Sequence, residues 1–268
     1  MNGLTLKRKL RAGQPSPGMW LRLSDPTVPD LLSDLGFDWV VFDAEHAAYD
    51  LQPLQNLLIA FKGSATVPIV RVHTNDPAYI KRILDMGAGG VLVPQLSSAA
   101  EAAAAVAACK YPPTGIRGTG PRRPSCYGRQ LADYLASAND QTLVLIMMET
   151  VGAMNELDQI LKIPGLDGLV IGPVDLSMSL GYHGDSDQPA VQQAIRTITA
   201  KARAAGMPFG TGRPVDDQAE WARRGATLLA MGDDEMFIQQ GAVKALEFFK
   251  HEIQRADAGS AGGPASKP

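Results

Sequence analysis

Short apolar runs alternate with longer amphipathic or alanine-rich runs along most of the chain. The short runs lie at 18–23, 38–43, 67–72, 90–95, 142–149, 168–172, 207–212 and 227–232. Within them, apolar residues follow one another without a clean alternation with polar residues, which is typical of strands buried on both faces of a parallel sheet. The pattern therefore predicts a repeating strand–helix chain.

Helices are predicted around these strands from apolar periodicity and from cap signals. They are expected at 27–35, 51–61, 76–86, 98–109, 151–162, 188–205, 216–224 and 234–252. Ser98 and Glu101 have the spacing of a capping box at the start of one of them. Eight strand–helix units are what a closed (β/α)8 barrel requires, whereas a doubly wound sheet more often has a Gly-rich first turn, which this sequence lacks. We predict an α/β protein with the fold of a TIM barrel.

The length of 268 residues fits one barrel domain, because α/β barrels commonly have about 250 residues. We expect residues 1–256 to form that domain and the small, polar residues 257–268 to be a disordered tail. One long segment, 110–141, interrupts the alternation of predicted strands and helices after the fourth strand. Its arginines could form a lid over an anion, an oligomer contact or a solvated loop. They are Arg117, Arg122, Arg123 and Arg129.

Composition excludes several classes of partner. The net charge of -3 and the pI near 5.8 give no basic footprint for nucleic acid. No run reaches the roughly 20 apolar residues of a membrane span, and no secretory signal is visible, so a cytoplasmic protein is expected. Cys109 and Cys126 lack metal-ligand spacing and any disulfide framework, so we interpret both as free thiols.

Reactive side chains follow several predicted strands at their carboxyl ends, where barrel enzymes hold their sites. They are Asp43, Glu45, His46, Arg71, Glu149 and Asp175. Glu149 and Asp175 follow neighbouring strands and would offer two hard oxygen ligands, leaving the other positions of an octahedral Mg²⁺ or Mn²⁺ to water and substrate. Either acid could instead cap a helix or pair with an arginine.

Arg71 closes the otherwise apolar run VPIVRV, where a guanidinium is costly unless an acid or an anion satisfies it. A carboxylate substrate would do so. His46 is either a base or a hydrogen-bonded wall residue. Asp85, near the end of the next helix, could orient an imidazole or be solvated. The other histidines, His73, His183 and His251, are interpreted as ordinary surface or loop residues.

Four stretches together point to one family. They are FDWVVFDAEHAAYD, VPIVRVHTNDPAYIKRILDMG, YPPTGIRGTGP and METVGAMNELDQILKIPGLDGLVIGPVDLSMSLGY, and RGATLLAMGDD follows them. The most specific pieces are D-x-E-H at 43–46, the strand end with Glu149 and G-x-x-D-L-S at 172–177. Over roughly residues 15–250 the chain resembles the HpcH/HpaI aldolase family, the metal-dependent class II pyruvate aldolases. The resemblance implies a (β/α)8 barrel of the phosphoenolpyruvate/pyruvate type.

The resemblance also implies a role for each matching residue. Glu149 and Asp175 would bind a divalent metal, Mg²⁺ or Mn²⁺, with Co²⁺ also possible. His46 would move the proton at the substrate hydroxyl with Asp85 as its orienting partner, and Arg71 would stabilise the enolate oxygen. The residues implied in substrate binding are Arg71, Gly172, Pro173, Val174, Asp175, Trp20, Gly212 and Arg213, with Asp43 and Glu45 in support.

The implied reaction is the reversible cleavage of a 4-hydroxy-2-oxo acid to pyruvate and an aldehyde through a metal-stabilised enolate. No lysine follows a predicted strand at this rim, which argues against a Schiff-base aldolase. Met147, Gly212 and Arg213 depart from the family pattern beside the aldehyde pocket, and Arg213 favours an acidic aldehyde.

Two alternatives stay open, an acyl-CoA lyase of the citrate lyase beta type and a non-catalytic binding or scaffold barrel. The resemblance further implies a homo-oligomer, a hexamer built as a trimer of dimers, in which the helix at 234–252 packs on a neighbour. Neither nucleic acid nor membrane is expected as a partner.

Overall fold

The computed structural model describes residues 3–212 and 218–260. Eight parallel strands close into a barrel in which every strand pairs with its sequence neighbours and β1 pairs with β8. The strands are β1 (Ser16–Leu21), β2 (Trp39–Asp43), β3 (Val67–Arg71), β4 (Gly90–Val93), β5 (Leu143–Met148), β6 (Gly168–Ile171), β7 (Phe209–Thr211) and β8 (Leu228–Asp233). The predicted (β/α)8 barrel is confirmed.

Helices surround this barrel. They are α1 (Gly3–Arg11), α2 (Thr27–Leu32), α3 (Leu51–Ile59), α4 (Pro77–Asp85), α5 (Ala99–Cys109), α6 (Leu131–Gln141), α7 (Val151–Asn155), α8 (Leu157–Ile160), α9 (Pro173–Ser179), α10 (Pro189–Ala204), α11 (Gln218–Arg223) and α12 (Asp234–Ser260). The helix predicted at 151–162 is divided into α7 and α8 around Glu156. Three of these helices, α1, α6 and α9, were not predicted from the sequence.

Two apolar clusters account for the core. The larger one fills the space between the sheet and the surrounding helices. The smaller one lies inside the barrel and includes Val41, Ile69 and Leu145, together with Leu6 and Leu10 of α1. Since Leu6 and Leu10 join the interior cluster, α1 closes the amino end of the barrel and leaves the carboxyl rim for chemistry.

Cap chemistry fixes where α4 and α5 begin. Ser98 Oγ accepts the Glu101 amide at 3.2 Å, as predicted, whereas the Glu101 carboxylate reaches the amide of Ser97 at 2.6 Å instead of that of Ser98. Asp76 accepts the amide of Ala78 and precedes the N-terminal Pro77 of α4. These contacts satisfy amide groups that have no partner within the helix.

The last helix, α12, starts at the rim and then leaves its own barrel. From Phe237 to Arg255 every residue is exposed. The exposed large apolar residues include Phe237, Ile238, Leu246, Phe248 and Phe249. The predicted disordered tail from residue 257 stays a prediction, because α12 continues to Ser260 and residues 261–268 lie outside the described part of the chain.

No helix in the described ranges 3–212 and 218–260 is long and apolar enough to span a bilayer.

Candidate active site

An arginine and an aspartate form the centre of the carboxyl rim. Asp43 and Arg71 are the last residues of β2 and β3 and stand opposite each other in the sheet register. Arg71 donates from Nε to Asp43 Oδ1 at 2.9 Å and from Nη2 to Asp43 Oδ2 at 2.6 Å. Both side chains are buried. Burial alone would raise the pKa of Asp43, but the contacts with Arg71, the amide of His46 and Arg22 together outweigh it and hold that pKa below its usual value. The pair is a fixed, buried two-bond fork.

Glu45 and His46 extend this centre toward solvent. Their backbone amides both donate to Asp43 Oδ1, at 3.3 and 3.2 Å, so the aspartate shapes the turn that carries them. Glu45 Oε2 lies 3.1 Å from Arg71 Nη1 and 3.8 Å from His46 Nε2. The pKa of Glu45 is raised, first by burial. The His46 side chain is 61% exposed, which leaves its ring able to exchange protons with solvent.

Glu149 is the least satisfied charged group at the rim. The residue is 1% exposed and follows β5 directly. Its Oε1 accepts the backbone amide of Gln95 at 2.7 Å, while its Oε2 is buried without a hydrogen-bond partner. Burial and, to a smaller extent, the charges of Asp175 and Glu45 together raise the pKa of Glu149 to about 7, against the lowering effects of the Gln95 amide and Arg71. A buried carboxylate with an unpartnered oxygen is costly and calls for a ligand.

Gly172 makes room for this carboxylate. A β-carbon built at Gly172 would lie 2.6 Å from Glu149 Oε2 and 3.0 Å from Glu149 Cβ. Since β-carbons essentially never approach other atoms so closely, a side chain at position 172 would force Glu149 to move.

Asp175 faces the same region from the first turn of α9, which Gly172 precedes. Pro173 is the first residue of that helix and has no N–H to donate. The first hydrogen bond of α9 runs from Leu176 N to the carbonyl oxygen of the cap residue Gly172 at 2.9 Å. The amides of Val174 and Asp175 therefore precede the intrahelical ladder, as the first amides of a helix do.

The donor set fits a hard divalent cation. Oxygen ligands are what Mg²⁺ and Mn²⁺ prefer, and Glu149 offers a buried oxygen that nothing in the described chain satisfies. In the part of the chain that the structure describes, no group of three or more His, Cys, Asp and Glu side chains is arranged to hold a metal. Glu149 and Asp175 could hold such a cation only if water or substrate supplied the remaining ligands, which is common for Mg²⁺.

Apolar and aromatic side chains form the adjoining wall. The Arg71 guanidinium lies over the Trp20 ring at 4.9 Å from its centroid. Trp20 Nε1 is buried without a hydrogen-bond partner. A β-carbon at Gly212 would lie 3.4 Å from Met147 Cε and 3.7 Å from Trp20 Cζ2. Trp20, Met147 and Gly212 therefore adjoin one another, whereas Arg213 lies outside the described residues.

The expected partnership between Asp85 and His46 is wrong within one chain. Asp85 is the last residue of α4, and it precedes β4, so it lies at the amino end of the barrel, whereas His46 lies at the carboxyl rim. Its carboxylate accepts from Arg117 Nη2 at 2.8 Å. Helices of a barrel run antiparallel to its strands, which places a helix end and a strand end on opposite sides.

The arginine-rich segment also gathers at the amino end. Arg117 is buried, lies 4.5 Å over the Tyr111 ring and pairs with Asp85. Arg123 donates to the carbonyl groups of Met86 and Leu58. Together with the starts of β3 and β4, this segment lines a cleft of about 470 Å³. The cleft is therefore at the other end of the barrel from the reactive carboxylates.

Sequence reasoning missed three contributors to the rim. Arg22 directly follows β1 and contacts Asp43, but the sequence pattern assigned it to the interior of a strand. Gln95 supplies the amide for Glu149 from a left-handed backbone conformation, with φ 55°, which no sequence signal announces. Asp234 accepts the amides of Arg22 and Leu23. A charged residue at the end of an apolar run was the signal that identified Arg71, and the same signal marks Arg22.

Comparison with known proteins agrees with this architecture. The family model for HpcH/HpaI aldolase/citrate lyase matches residues 17–240. A 5-keto-4-deoxy-D-glucarate aldolase from Salmonella arizonae is 39% identical over 246 residues, which cover 91% of this chain and 96% of that protein. An HpcH/HpaI aldolase/citrate lyase family protein from Burkholderia cenocepacia J2315 has a TM-score of 0.87 at 31% identity, covering 92% of this chain and 99% of the other.

A second solved structure of the same fold is the citrate synthase SbnG, with a TM-score of 0.83 at 30% identity over 94% of this chain and 99% of that one. The family match covers most of the chain, and the resemblance predicted from the motifs is confirmed. The chain is an enzyme that belongs to the HpcH/HpaI aldolase/citrate lyase family.

Proposed function

We propose that the enzyme reversibly cleaves a 4-hydroxy-2-oxo acid to pyruvate, or a close 2-oxo acid, and an aldehyde. The observation that carries this proposal is Glu149, a buried carboxylate with one unsatisfied oxygen, placed with Asp175 at the same rim as the fixed guanidinium of Arg71. In this proposal Glu149 and Asp175 hold a divalent cation, Mg²⁺ or Mn²⁺, with Co²⁺ as a further candidate. Such a cation, when bound, supplies Lewis-acid polarisation of the 2-oxo group.

The start of α9 binds the substrate carboxylate. The amides of Val174 and Asp175 precede the first intrahelical hydrogen bond and can donate to an anion, whereas Pro173 only shapes the turn. Gly172 keeps this backbone close to Glu149. The acid is thereby oriented with its 2-oxo oxygen toward Arg71.

Arg71 stabilises the charge that grows on that oxygen as the bond between C3 and C4 breaks. Its guanidinium is fixed by Asp43 and stacked on Trp20, so it needs no rearrangement when the charge develops. Glu45 occupies a third side of the guanidinium at 3.1 Å. Asp43 and Glu45 thus act as supports and not as proton carriers.

His46 moves the proton at the 4-hydroxyl group. In cleavage it accepts the proton as the aldehyde forms, and in the reverse addition it returns the proton to the new alkoxide. The step is balanced when C3 of the enolate takes up a proton to give pyruvate, and the exposure of His46 allows proton exchange with solvent. The Arg71 side of the pocket and the His46 side therefore serve different oxygens of one substrate.

The name of the Salmonella relative supports an acidic substrate, and 5-keto-4-deoxy-D-glucarate is the first compound to assay. A panel of aldehydes with pyruvate extends the test, run as prepared, after EDTA, and after addition of Mg²⁺, Mn²⁺ or Co²⁺. We expect EDTA to remove cleavage and the metals to restore it. Cleavage that survives complete chelation contradicts the role given to Glu149 and Asp175.

The SbnG neighbour gives the second function its specific support. An enzyme of the acyl-CoA or citrate type forms or breaks a carbon–carbon bond in a citrate-like acid, so citrate is included as a substrate and as a product in the same panel. Turnover of citrate or an acyl-CoA without turnover of any 4-hydroxy-2-oxo acid favours this second function. A complete lack of turnover in every arm favours a binding or scaffold barrel.

We further propose that the chain assembles as a homo-oligomer, a hexamer built as a trimer of dimers, through α12. The apolar residues of α12 are exposed in the single chain, and burying them would recover hydrophobic free energy. Sedimentation of the wild type and of the double variant Phe248→Ser, Phe249→Ser measures the number of subunits in each assembly. A monomeric wild type contradicts the assembly.

A further inference from the structure

We propose that Arg22 is a positioning residue, which fixes Asp43 and through it the guanidinium of Arg71, and ties both to the start of α12. This inference rests on the proposed function, because it assigns Arg71 its task, but its structural part can be tested separately. The sequence pattern had placed Arg22 inside a strand, whereas it directly follows β1.

The first step is the contact between Arg22 and Asp43. Arg22 Nε donates to Asp43 Oδ2 at 3.2 Å, the same oxygen that accepts from Arg71 Nη2 at 2.6 Å. Asp43 therefore lies between two guanidinium groups, and its side chain is completely buried. The orientation of Arg71 depends on a carboxylate that has a second cation on its other side.

The second step is the charge around that carboxylate. Arg71 contacts two acids, Asp43 and Glu45. These three side chains together therefore have one more negative charge than positive. Arg22 adds a second positive charge, which it shares with Asp233 at 3.1 Å and Glu235 at 3.8 Å, and its side chain is only 33% exposed. Burial disfavours its charged form, but the contacts with Asp43 and Asp233 more than compensate and raise the pKa of Arg22 above its ordinary value. If Arg22 were removed, the buried carboxylate of Asp43 would lose one of its two neighbouring positive charges.

The third step is the link to α12. Arg22 Nη1 donates to Asp233 Oδ2 at 3.1 Å, at the end of β8. Asp234, the first residue of α12, accepts the backbone amides of Arg22 and Leu23. The segment that carries Arg22 is thus held from both its backbone and its side chain by the junction of β8 and α12.

These contacts give Arg22 a function beyond closing the barrel. Two of its nitrogens contact acids on two different strands, β2 and β8, which are the two neighbours of β1 in the ring. A planar fork suits this task better than an ammonium group, which acts as a single point charge. Through Asp43, the residue fixes the orientation of the Arg71 guanidinium.

The test uses Arg22→Gln, Arg22→Lys, Asp233→Asn and a matched control, Arg11→Gln. Arg11 donates to the buried Asp167 at 3.1 Å at the opposite end of the barrel, so its loss also removes an arginine from a buried carboxylate, but far from the rim. Each oligomeric, metal-supplemented enzyme is measured for melting temperature, kcat and KM in the cleavage of 4-hydroxy-2-oxo acids. We expect Arg22→Gln to lower kcat roughly tenfold with little change in KM, the size of effect that one charge-assisted contact commonly has.

The remaining variants separate positioning from anchoring. Arg22→Lys should recover part of the lost kcat, because it keeps the charge, and Arg11→Gln should keep kcat within about twofold of wild type at a similar loss of melting temperature. Asp233→Asn weakens the link of Arg22 to β8 but keeps Oδ1 as acceptor for the amide of Met236 in α12, and it should lower kcat less than Arg22→Gln does. If Asp233→Asn lowers kcat as much as Arg22→Gln, Arg22 only anchors α12, and the proposal is overturned.

A spectroscopic arm does not depend on activity. The Nε–H signal of Arg71, in protein labelled with ¹⁵N-arginine and assigned through Arg71→Lys, reports on its bond to Asp43. We expect this signal to shift and to exchange faster with water in Arg22→Gln and, to a smaller extent, in Arg22→Lys, but not in Arg11→Gln. An unchanged signal overturns the proposal. If Arg22→Gln does not fold, Arg22→Lys decides alone.

The two proposals fail in different ways. If the wild-type enzyme cleaves no 4-hydroxy-2-oxo acid, the proposed function is wrong, and the role of Arg22 is then tested by the Arg71 signal alone. If the wild type is active, but substitutions at position 22 change neither kcat nor the Arg71 signal, the role of Arg22 is wrong and the proposed function is unaffected.

Discussion

Glu149 and Asp167 are both buried carboxylates next to β-strands, and they lie at opposite ends of the barrel. Asp167, just before β6, accepts from Lys7 at 2.8 Å, from Arg11 at 3.1 Å and from the amide of Val144 at 3.0 Å. Glu149, just after β5, accepts from one amide and has one oxygen without a partner.

The difference shows that burial alone does not identify a functional charge. Asp167 has two cations and an amide around it, which is how a protein stabilises a charge it keeps for structure. Among the residues that the structure describes, no cation directly contacts Glu149, and burial raises its pKa to about 7. An unsatisfied buried carboxylate tolerated in the folded chain is suited to hold a ligand.

The largest expected effect separates the two residues directly. Glu149→Gln should lower kcat/KM for cleavage by more than about 10³-fold, because it removes a proposed cation ligand. Its free energy of unfolding should stay the same or rise by about 1 kcal/mol, since glutamine is neutral and avoids the cost of a buried charge. Steady-state kinetics and urea unfolding measure both. A variant that stays active shows that Glu149 is structural.

Asp167→Asn should have the opposite profile. It leaves the buried Lys7 ammonium group without its carboxylate, which we expect to cost about 3 kcal/mol of unfolding free energy. Activity per folded molecule should change little, because the site is at the other end of the barrel. The measurement is urea unfolding together with kcat at a temperature below the transition. A large loss of kcat in fully folded protein would mean that the two ends are coupled.

Arg71→Lys sharpens the comparison at the rim. Lysine keeps the charge but cannot make the two-bond fork to Asp43, so we expect kcat to fall by about 10²-fold with a smaller change in stability. The matched control is Arg11→Lys, a change of the same kind beside Asp167. If both substitutions affect only the melting temperature, Arg71 serves the fold alone.

The smallest expected effect is a pH dependence at the amino end. Lys110 donates to the carbonyl oxygens of Asn139 and Thr142, and burial, then the charge of Lys7, lowers its pKa from 10.5 to about 8. Between these values the unfolded chain binds more protons than the folded chain, so stability rises with pH in this window.

Relative to Lys110→Met, the wild type should therefore gain about 2 kcal/mol of unfolding free energy from about pH 7.5 to about pH 9.5. Urea unfolding of both proteins across this range measures the difference. The neighbouring Cys109 thiol, whose pKa burial raises to about 12, is common to both and largely cancels. A constant difference between the two proteins would show that Lys110 keeps its ordinary pKa.

The sequence predicted the strands well because each is a compact apolar run bounded by polar or turn residues. The missed helices include α1 and α9. The stretch PVDLSMS of α9 reads as a loop, and α1 is dominated by its basic residues, although Leu6 and Leu10 close the barrel. Local patterns could not show that these short segments gain their stability from the sheet they cover.

The site was predicted where a charge follows an apolar run, as at Glu149 and Arg71. It was not predicted where the contact is made by backbone, as with the amide of Gln95, because any residue type can supply an amide. Asp85 was assigned to His46 because the family resemblance implied it as the orienting partner. Helix α4 runs antiparallel to the strands, so its last residue, Asp85, lies at the amino end of the barrel, away from His46. The alternation of strands and helices in the sequence already predicts this direction.

Two glycines at the rim set different limits on how this pocket can change during evolution. At Gly172 any added side chain collides with Glu149, so that wall is closed to variation for as long as the carboxylate is kept. At Gly212 an added β-carbon meets Met147 and Trp20 only at ordinary contact distance. The pocket wall beside β7 can therefore accept a larger residue at position 212, whereas the wall next to β6 accepts a side chain at position 172 only if Glu149 moves.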